Sequence, residues 1–148
     1  MESKELKNII PIQSIWEDLD LLEERLIEIS SASDPYLTEI SQYLISAGGK
    51  RFRPLIALLA GKLGEGDNKK VIDAGVSVEL IHLGSLYHDD VIDDATTRRG
   101  VVSTNKQWNS TLAILAGDYL LARSSELAAE SLGLESVKLL ASTYAQLV

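Results

Sequence analysis

The chain has 148 residues and a net charge of −8, and 45% of its residues are hydrophobic, which suits one domain, residues 1–148, with a sizeable core. Cysteine is absent, so disulfides, thiolate catalysis and cysteine-based zinc sites are excluded, and the acidic charge argues against nucleic-acid binding. The amino terminus lacks the apolar core of a signal peptide, and the longest apolar run, 55–61, is too short to span a bilayer. We therefore expect a cytoplasmic protein.

Helical signals follow one another along the first part of the chain. After Pro11, an apolar stripe at helical spacing predicts a first helix; its members are Ile12, Ile15, Trp16, Leu19, Leu22, Leu26 and Ile29. A cap and a first-turn proline at 33–35 open a second helix, which Gly48 ends. A third helix is predicted to begin at Pro54 and to stop near Gly64.

The second part of the chain continues the helical pattern. A polar loop at 64–68 leads into a long helix that is predicted to end around the aspartates at 89–94. A loop at 96–108 follows, then a helix over 110–132 and a last one from Glu135. Since no alternating strand pattern competes, the sequence predicts an all-α bundle, in which sites are built from facing helices.

An acidic cluster occupies residues 89–94, which hold four aspartates in six positions and are followed by two arginines. In a helix, Asp89 and Asp93 lie one turn apart, and each like-charge pair at that spacing costs about 0.2–0.5 kcal/mol. Crowded hard oxygen ligands without cysteine point to Mg²⁺. The alternative is a solvated acidic helix end that the arginines offset, and spacing alone leaves both open.

A basic cluster lies upstream at 48–54, where the sequence reads Gly-Gly-Lys-Arg-Phe-Arg-Pro. Cations beside the unpaired N–H groups of a helix start make a good anion site, and arginine matches phosphate geometry especially well. No Ser or Thr follows the lysine, so this is not a Walker loop. The alternative is a helix cap followed by a solvated basic turn.

The two clusters in this order resemble the trans-prenyltransferases, the all-helical synthases of linear isoprenyl diphosphates. The matching stretches are the basic cluster, Leu-Tyr-His-Asp-Asp-Val-Ile-Asp at 86–93 and Arg-Arg-Gly at 98–100, with support from 79–82 and 116–120. The resemblance runs from about residue 34 to the end. It implies an all-α helical bundle of the isoprenoid synthase type, incomplete here, with this chain as about its N-terminal half.

The resemblance also implies a reaction and its residues. Isopentenyl diphosphate would condense head-to-tail with an allylic prenyl diphosphate, with Mg²⁺ as cofactor. Asp89 and Asp93, the first and last acids of Asp-Asp-x-x-Asp, would hold Mg²⁺ against the allylic diphosphate, with Asp90 in support. Arg98 would contact the same diphosphate, whereas Arg51 is expected to have a structural or surface role. The residues expected to bind the diphosphate of isopentenyl diphosphate are Lys50, Arg53, His82 and Arg99.

Product length depends, by the same resemblance, on the residue five positions before the first aspartate. An aromatic side chain there acts as a floor beneath the growing prenyl tail. Here that residue is Gly84, followed by Ser85, so the sequence favours a product longer than farnesyl diphosphate. The alternative is that two small residues only allow close helix packing.

The chain departs from the family in one respect. Members are considerably longer and carry a second aspartate-rich motif on a later helix, and no such motif is present here. A fragment of a full synthase, a natural half-enzyme and a non-catalytic relic all remain open, and the intact first motif favours the fragment.

Two functions from different classes follow. One is a prenyltransferase that is active only when its second half is supplied in the same or another chain, so residues 1–148 alone are expected to be inactive. Its expected protein partner is a second copy, in a homodimer, or a complementing chain. The other is a non-catalytic or partner subunit that binds diphosphate and Mg²⁺ and needs a second chain for turnover. Terpene cyclisation shares the aspartate motif but not the basic cluster, so it is disfavoured.

Overall fold

The computed structural model describes residue 6, residues 8–64 and residues 67–147. Its elements are α1 (Gln13–Ser30), α2 (Pro35–Ser46), α3 (Phe52–Lys62), α4 (Asn68–Ile92), β1 (Thr97–Arg98), β2 (Val101–Val102), α5 (Thr104–Gln107), α6 (Ser110–Leu127), a π-helical turn (Ala128–Leu132) and α7 (Leu134–Leu147). The predicted all-α class is confirmed. Within the described ranges, no helix is both long and apolar enough to cross a bilayer.

Helix α4 is the centre of the bundle and packs against α1, α3 and α6. It is 25 residues long and is buried on several sides, through side chains such as Val76, Leu80 and Leu83. The hydroxyl of Tyr87 donates to the carbonyl oxygen of Ile40 at 2.6 Å, and thereby fixes α2 against α4. Since α4 also carries the acidic cluster at its C-terminal end, its packing in the core fixes the position of that cluster.

Close packing of α4 on α6 depends on two facing glycines. A Cβ atom built at Gly84 would lie 2.9 Å from the carbonyl oxygen of Gly117 and 3.0 Å from Cγ of Leu121, so the helices meet almost backbone to backbone. Gly84 is buried in this contact. Close helix packing, the alternative explanation for the small residue at Gly84, is therefore what the structure supports.

Several boundaries differ from the sequence prediction. Helix α3 begins at Phe52, so Pro54 lies in its first turn and does not open it. Proline is tolerated there because the N–H groups of the first turn have no partner within the helix. The predicted loop at 96–108 contains an antiparallel hairpin of β1 and β2 and the short α5. Two-residue strands are too short to show an alternating pattern. The helix predicted over 110–132 turns from α to π geometry at Ala128.

Candidate functional site

A cleft of about 350 Å³ lies between α3, α4 and α7. Its charged and polar lining comes from Arg53, from His82, Ser85 and Asp89 of α4, and from Thr143 and Tyr144 of α7, and the rest is apolar surface of α4 and α7. An adjoining apolar cavity of about 490 Å³ lies between α4, α6 and α7, and Ile81 lines both spaces. The structure thus brings three predicted site residues, Arg53 of α3 with His82 and Asp89 of α4, to one cleft that adjoins an apolar cavity.

The acids of the Asp-Asp-x-x-Asp motif have different environments. Asp89 and Asp93 are exposed, and the backbone N–H of Asp93 donates to the carbonyl oxygen of Asp89 at 2.8 Å, one helical turn apart. Asp90 is fully buried, and its Oδ1 accepts from Nε of Arg98 at 2.7 Å and lies 2.6 Å from Nη2. Two acids therefore face solvent, whereas the third holds an arginine.

Asp94, the fourth acid, is also engaged. Its Oδ1 accepts from Nζ of Lys106 at 2.6 Å, on the surface of the short α5. The backbone carbonyl of Asp90 accepts from the side-chain amide of Asn105 at 3.0 Å. The segment after α4 is consequently tied back to the helix end that carries Asp89 and Asp93.

A metal ion at this helix end would need further ligands. In the part of the chain that the structure describes, no group of three or more His, Asp or Glu residues is placed to hold one. Two exposed carboxylates one turn apart are nevertheless a fitting donor set for Mg²⁺, which is usually bound through one or two carboxylates together with phosphate oxygens and water. Asp89 and Asp93 would be those carboxylates.

The two arginines after the acidic cluster point to different places. Whereas Arg98 is bound by Asp90, Arg99 lies against the glycine turn between α2 and α3. Its Nη1 donates to the carbonyl oxygen of Leu44 at 2.9 Å and to that of Gly48. Burial lowers the pKa of Arg99 from its usual value, and the nearby Arg51 guanidinium lowers it further.

Arg51 is a structural residue, in line with the expectation from sequence. Its guanidinium donates to both carboxylate oxygens of Glu23, through Nε and, at 3.1 Å, through Nη2. Nη2 also donates to the carbonyl oxygen of Ile45 at 3.1 Å. A Cβ atom at Gly49 would lie 2.8 Å from Nη1 of Arg51, so glycine is what lets the turn close over this side chain.

Lys50 lies apart from the main cleft. It is exposed and lines a smaller depression of about 220 Å³ with Trp16, Glu23 and Arg51. The structure therefore gathers Arg53, His82 and Asp89, and leaves Lys50 on the other side of the turn.

His82 is half-buried on the inner wall of the cleft. Burial lowers the pKa of His82 to about 4, and the positive charges of Arg53 and Arg99 lower it further. The hydroxyl of Ser85 donates to the backbone carbonyl of His82 at 2.8 Å. At neutral pH the imidazole is uncharged, and it can act on an anion as a hydrogen-bond donor but not as a cation.

Comparison with known proteins connects this geometry to one family. The sequence model described as polyprenyl synthetase matches residues 34–148. The chain belongs to the polyprenyl synthetase family. It is 50% identical over 117 residues to nonaprenyl diphosphate synthase of Mycobacterium tuberculosis, a match that covers 78% of this chain and 35% of that protein. It is 42% identical over 111 residues to heptaprenyl diphosphate synthase component 2 of Bacillus subtilis, covering 75% and 32%.

A solved structure of this polyprenyl synthetase family has the same fold. Polyprenyl synthase from Caulobacter crescentus, complexed with calcium and isoprenyl diphosphate, superposes with a TM-score of 0.82 at 32% identity, over 87% of this chain and 39% of that one. The isoprenoid synthase type of helical bundle expected from the sequence is thereby confirmed. The chain spans about a third of the length of the two curated relatives.

One residue of this polyprenyl synthetase chain was given no role from sequence. Glu79 is 2% exposed, and its Oε1 lies 3.5 Å from Nη1 of Arg51 and 3.8 Å from Nη2 of Arg99. Burial raises the pKa of Glu79, and the two arginines oppose that rise. The signal was available, because an acid three residues before His82 on an apolar helix needs a buried partner.

Proposed function

We propose that this protein is a trans-prenyltransferase that condenses isopentenyl diphosphate head-to-tail with an allylic prenyl diphosphate. The observation that carries the proposal is the cleft at which Arg53, His82 and Asp89 meet, above apolar space, in a chain of this family. Residues 1–148 would form a single domain that corresponds to the N-terminal half of the family's fold.

The allylic diphosphate would bind at the C-terminal end of α4. Asp89 and Asp93 would hold Mg²⁺, which stabilises the negative charge of the departing diphosphate. The calcium and isoprenyl diphosphate named for the Caulobacter relative support a divalent ion in this role. Arg98 would face the same diphosphate, and its salt bridge to buried Asp90 limits the freedom of the guanidinium before substrate arrives.

Isopentenyl diphosphate would bind on the side of the glycine turn. Lys50, Arg53 and Arg99 would supply positive charge, and uncharged His82 would supply one hydrogen bond. Lys50 is the least constrained of the four, since it is exposed and lies in the neighbouring depression. Its long side chain would have to turn towards Arg53 when the diphosphate binds.

The product would be longer than farnesyl diphosphate. Gly84 no longer supports this, because it is used in helix packing. The support comes from the nonaprenyl and heptaprenyl names of the relatives, and from the small Ser85 beside the cleft. The apolar cavity beyond Ile81 would take the prenyl tail.

The alternative is a subunit that binds diphosphate and Mg²⁺ and needs a complementing chain for turnover. The name component 2, carried by the Bacillus subtilis relative, favours assembly with a second chain. A homodimer would meet the same need with two copies of this chain. A cytoplasmic location stays a prediction from the sequence.

An elongation assay tests the proposal. The purified protein is incubated with Mg²⁺, labelled isopentenyl diphosphate and allylic primers of increasing length, and the products are separated by chain length. Labelled products longer than farnesyl would support the prenyltransferase, and Asp89→Asn should abolish them while the exposed Glu39→Gln should not. Binding of both diphosphates without any product would favour the alternative, and absence of binding would contradict both.

A further inference from the structure

We propose that Glu79 is a positioning residue that holds Arg99 in the orientation required to bind the diphosphate of isopentenyl diphosphate. The proposal rests on the proposed function, because Arg99 is one of the residues expected to bind that group. Glu79 itself would not touch the substrate. It would act through the guanidinium.

The contacts of Glu79 place one carboxylate oxygen between two guanidiniums. Oε1 lies 3.5 Å from Nη1 of Arg51 and 3.8 Å from Nη2 of Arg99, and the Glu79 side chain is 2% exposed. Water therefore screens these attractions little. Glu79 also lies three residues before His82, on the same face of α4, so its position is tied to the wall of the cleft.

The two arginines depend on Glu79 to different degrees. Arg51 has a second carboxylate partner, Glu23, and further hydrogen bonds to backbone carbonyls. Among the ion pairs of the described ranges, Arg99 has Glu79 as its one acidic partner. The hydrogen bonds of Arg99 use Nη1, which donates to the carbonyls of Leu44 and Gly48, whereas the 3.8 Å contact of Nη2 with Glu79 is an ion pair. Loss of the Glu79 charge should leave Arg51 in place and release Nη2 of Arg99.

Removal of this charge has two opposing effects on an anion nearby. Arg51, Arg53 and Arg99 all contribute positive potential to the site, so a neutral residue 79 raises that potential and by itself tightens diphosphate binding. Release of Arg99 weakens binding, because the guanidinium must then be ordered when the ligand arrives. The sign of the measured change therefore separates positioning from simple charge compensation.

The test is titration calorimetry of the 148-residue protein with isopentenyl diphosphate. Glu79→Gln keeps the size of the side chain and removes its charge, and we expect its affinity to fall by about five- to tenfold. Glu39→Gln, at an exposed position of α2, is the matched control for net charge and should bind as the wild type does. Affinity for farnesyl diphosphate with Mg²⁺ should change less than about twofold, because Arg98 is held separately by Asp90.

A double-mutant cycle identifies the residue through which Glu79 acts. In an Arg99→Ala background, Glu79→Gln should change the affinity for isopentenyl diphosphate by less than about twofold. A full additional loss in that background would overturn the assignment to Arg99. Circular dichroism establishes that each variant is folded.

Glu79→Asp keeps the negative charge and provides a second comparison. If Glu79→Gln does not fold, Glu79→Asp is the variant that tests the proposal. Its shorter side chain withdraws the carboxylate, and we expect a loss of about two- to fivefold. Wild-type affinity in Glu79→Asp, or unchanged or tighter binding in Glu79→Gln, would overturn the positioning role alone. A wild-type protein that does not bind isopentenyl diphosphate would overturn the proposed function and this proposal with it.

Discussion

Two neighbouring aspartates of one motif should contribute differently to stability. Asp90 is fully buried and pairs with Arg98, whereas Asp89 is exposed among like charges at the end of α4. We expect Asp90→Asn to lower the free energy of unfolding and Asp89→Asn to leave it unchanged or to raise it slightly. The two substitutions are chemically identical and one residue apart, so each is the control for the other.

The size of the Asp90 effect follows from its contacts. Oδ1 receives two charge-assisted contacts from Arg98, at 2.7 Å and 2.6 Å. Each hydrogen bond to a charged group contributes about 1.5–3 kcal/mol, and an asparagine oxygen would keep part of the contribution of the two. Because the side chain of Arg98 is 30% exposed, water recovers some of the rest, and we expect a net loss of about 1.5–3 kcal/mol.

Thermal unfolding followed by circular dichroism measures the difference. For a chain of this length, the expected loss corresponds to a Tm lower by about 4–10 °C for Asp90→Asn. For Asp89→Asn, relief of repulsion with neighbouring acids should keep Tm within about 2 °C of the wild type or raise it. Equal destabilisation by both variants, or none by either, would refute the assignment of different roles to the two acids.

Three further predictions concern the cleft and the core. Arg53→Ala should weaken isopentenyl diphosphate binding by about 1.5–3 kcal/mol and spare the allylic diphosphate, and Arg98→Ala should do the reverse; calorimetry showing equal losses for both ligands would contradict separate sites. His82 takes up a proton near its ordinary pKa of 6.5 in the unfolded chain, but only near a pKa of about 4 in the folded protein. The free energy of unfolding should therefore be highest above pH 6.5 and fall as the pH is lowered towards 4. Urea titrations should show this fall, and it should be less steep in His82→Asn. Gly84→Ala should destabilise the fold by about 1–3 kcal/mol, since its methyl group would meet the backbone of Gly117; unchanged stability would argue against the close contact.

The helices were largely predictable because their signals are local. The stripe containing Ile15, Leu22 and Leu26 forms the buried face of α1, and the capping side chain of Asp34 accepts from the N–H of Tyr36 as its sequence position predicts. The hairpin at 97–102 and the change to π geometry at Ala128 were not predictable. They depend on contacts with other segments, and not on the pattern of the segment itself.

In the candidate site, too, some features were predictable from the sequence and others depended on tertiary packing. Charged motifs identified Asp89, Arg53 and His82 as site residues, and the structure brings these three to one cleft. The resemblance gave Asp90 only a supporting role, but sequence could not show that it is buried and paired with Arg98 while Asp89 is exposed, because this depends on how α4 is rotated in the bundle. Sequence left two explanations of Gly84 open for the same reason, since its facing partner, Gly117, lies on another helix.

The most direct test of the central claim, a Mg²⁺-dependent diphosphate site at the end of α4, is ligand-induced thermal stabilisation. Wild type, Asp89→Ala and Asp93→Ala are melted with a non-reactive allylic diphosphate analogue, each with and without Mg²⁺. At a ligand concentration of 100 Kd, binding adds about 2.7 kcal/mol, so the wild-type Tm should rise by several degrees only when both components are present. Both alanine variants should lose this rise while folding normally. Stabilisation of the alanine variants equal to that of the wild type would contradict the site.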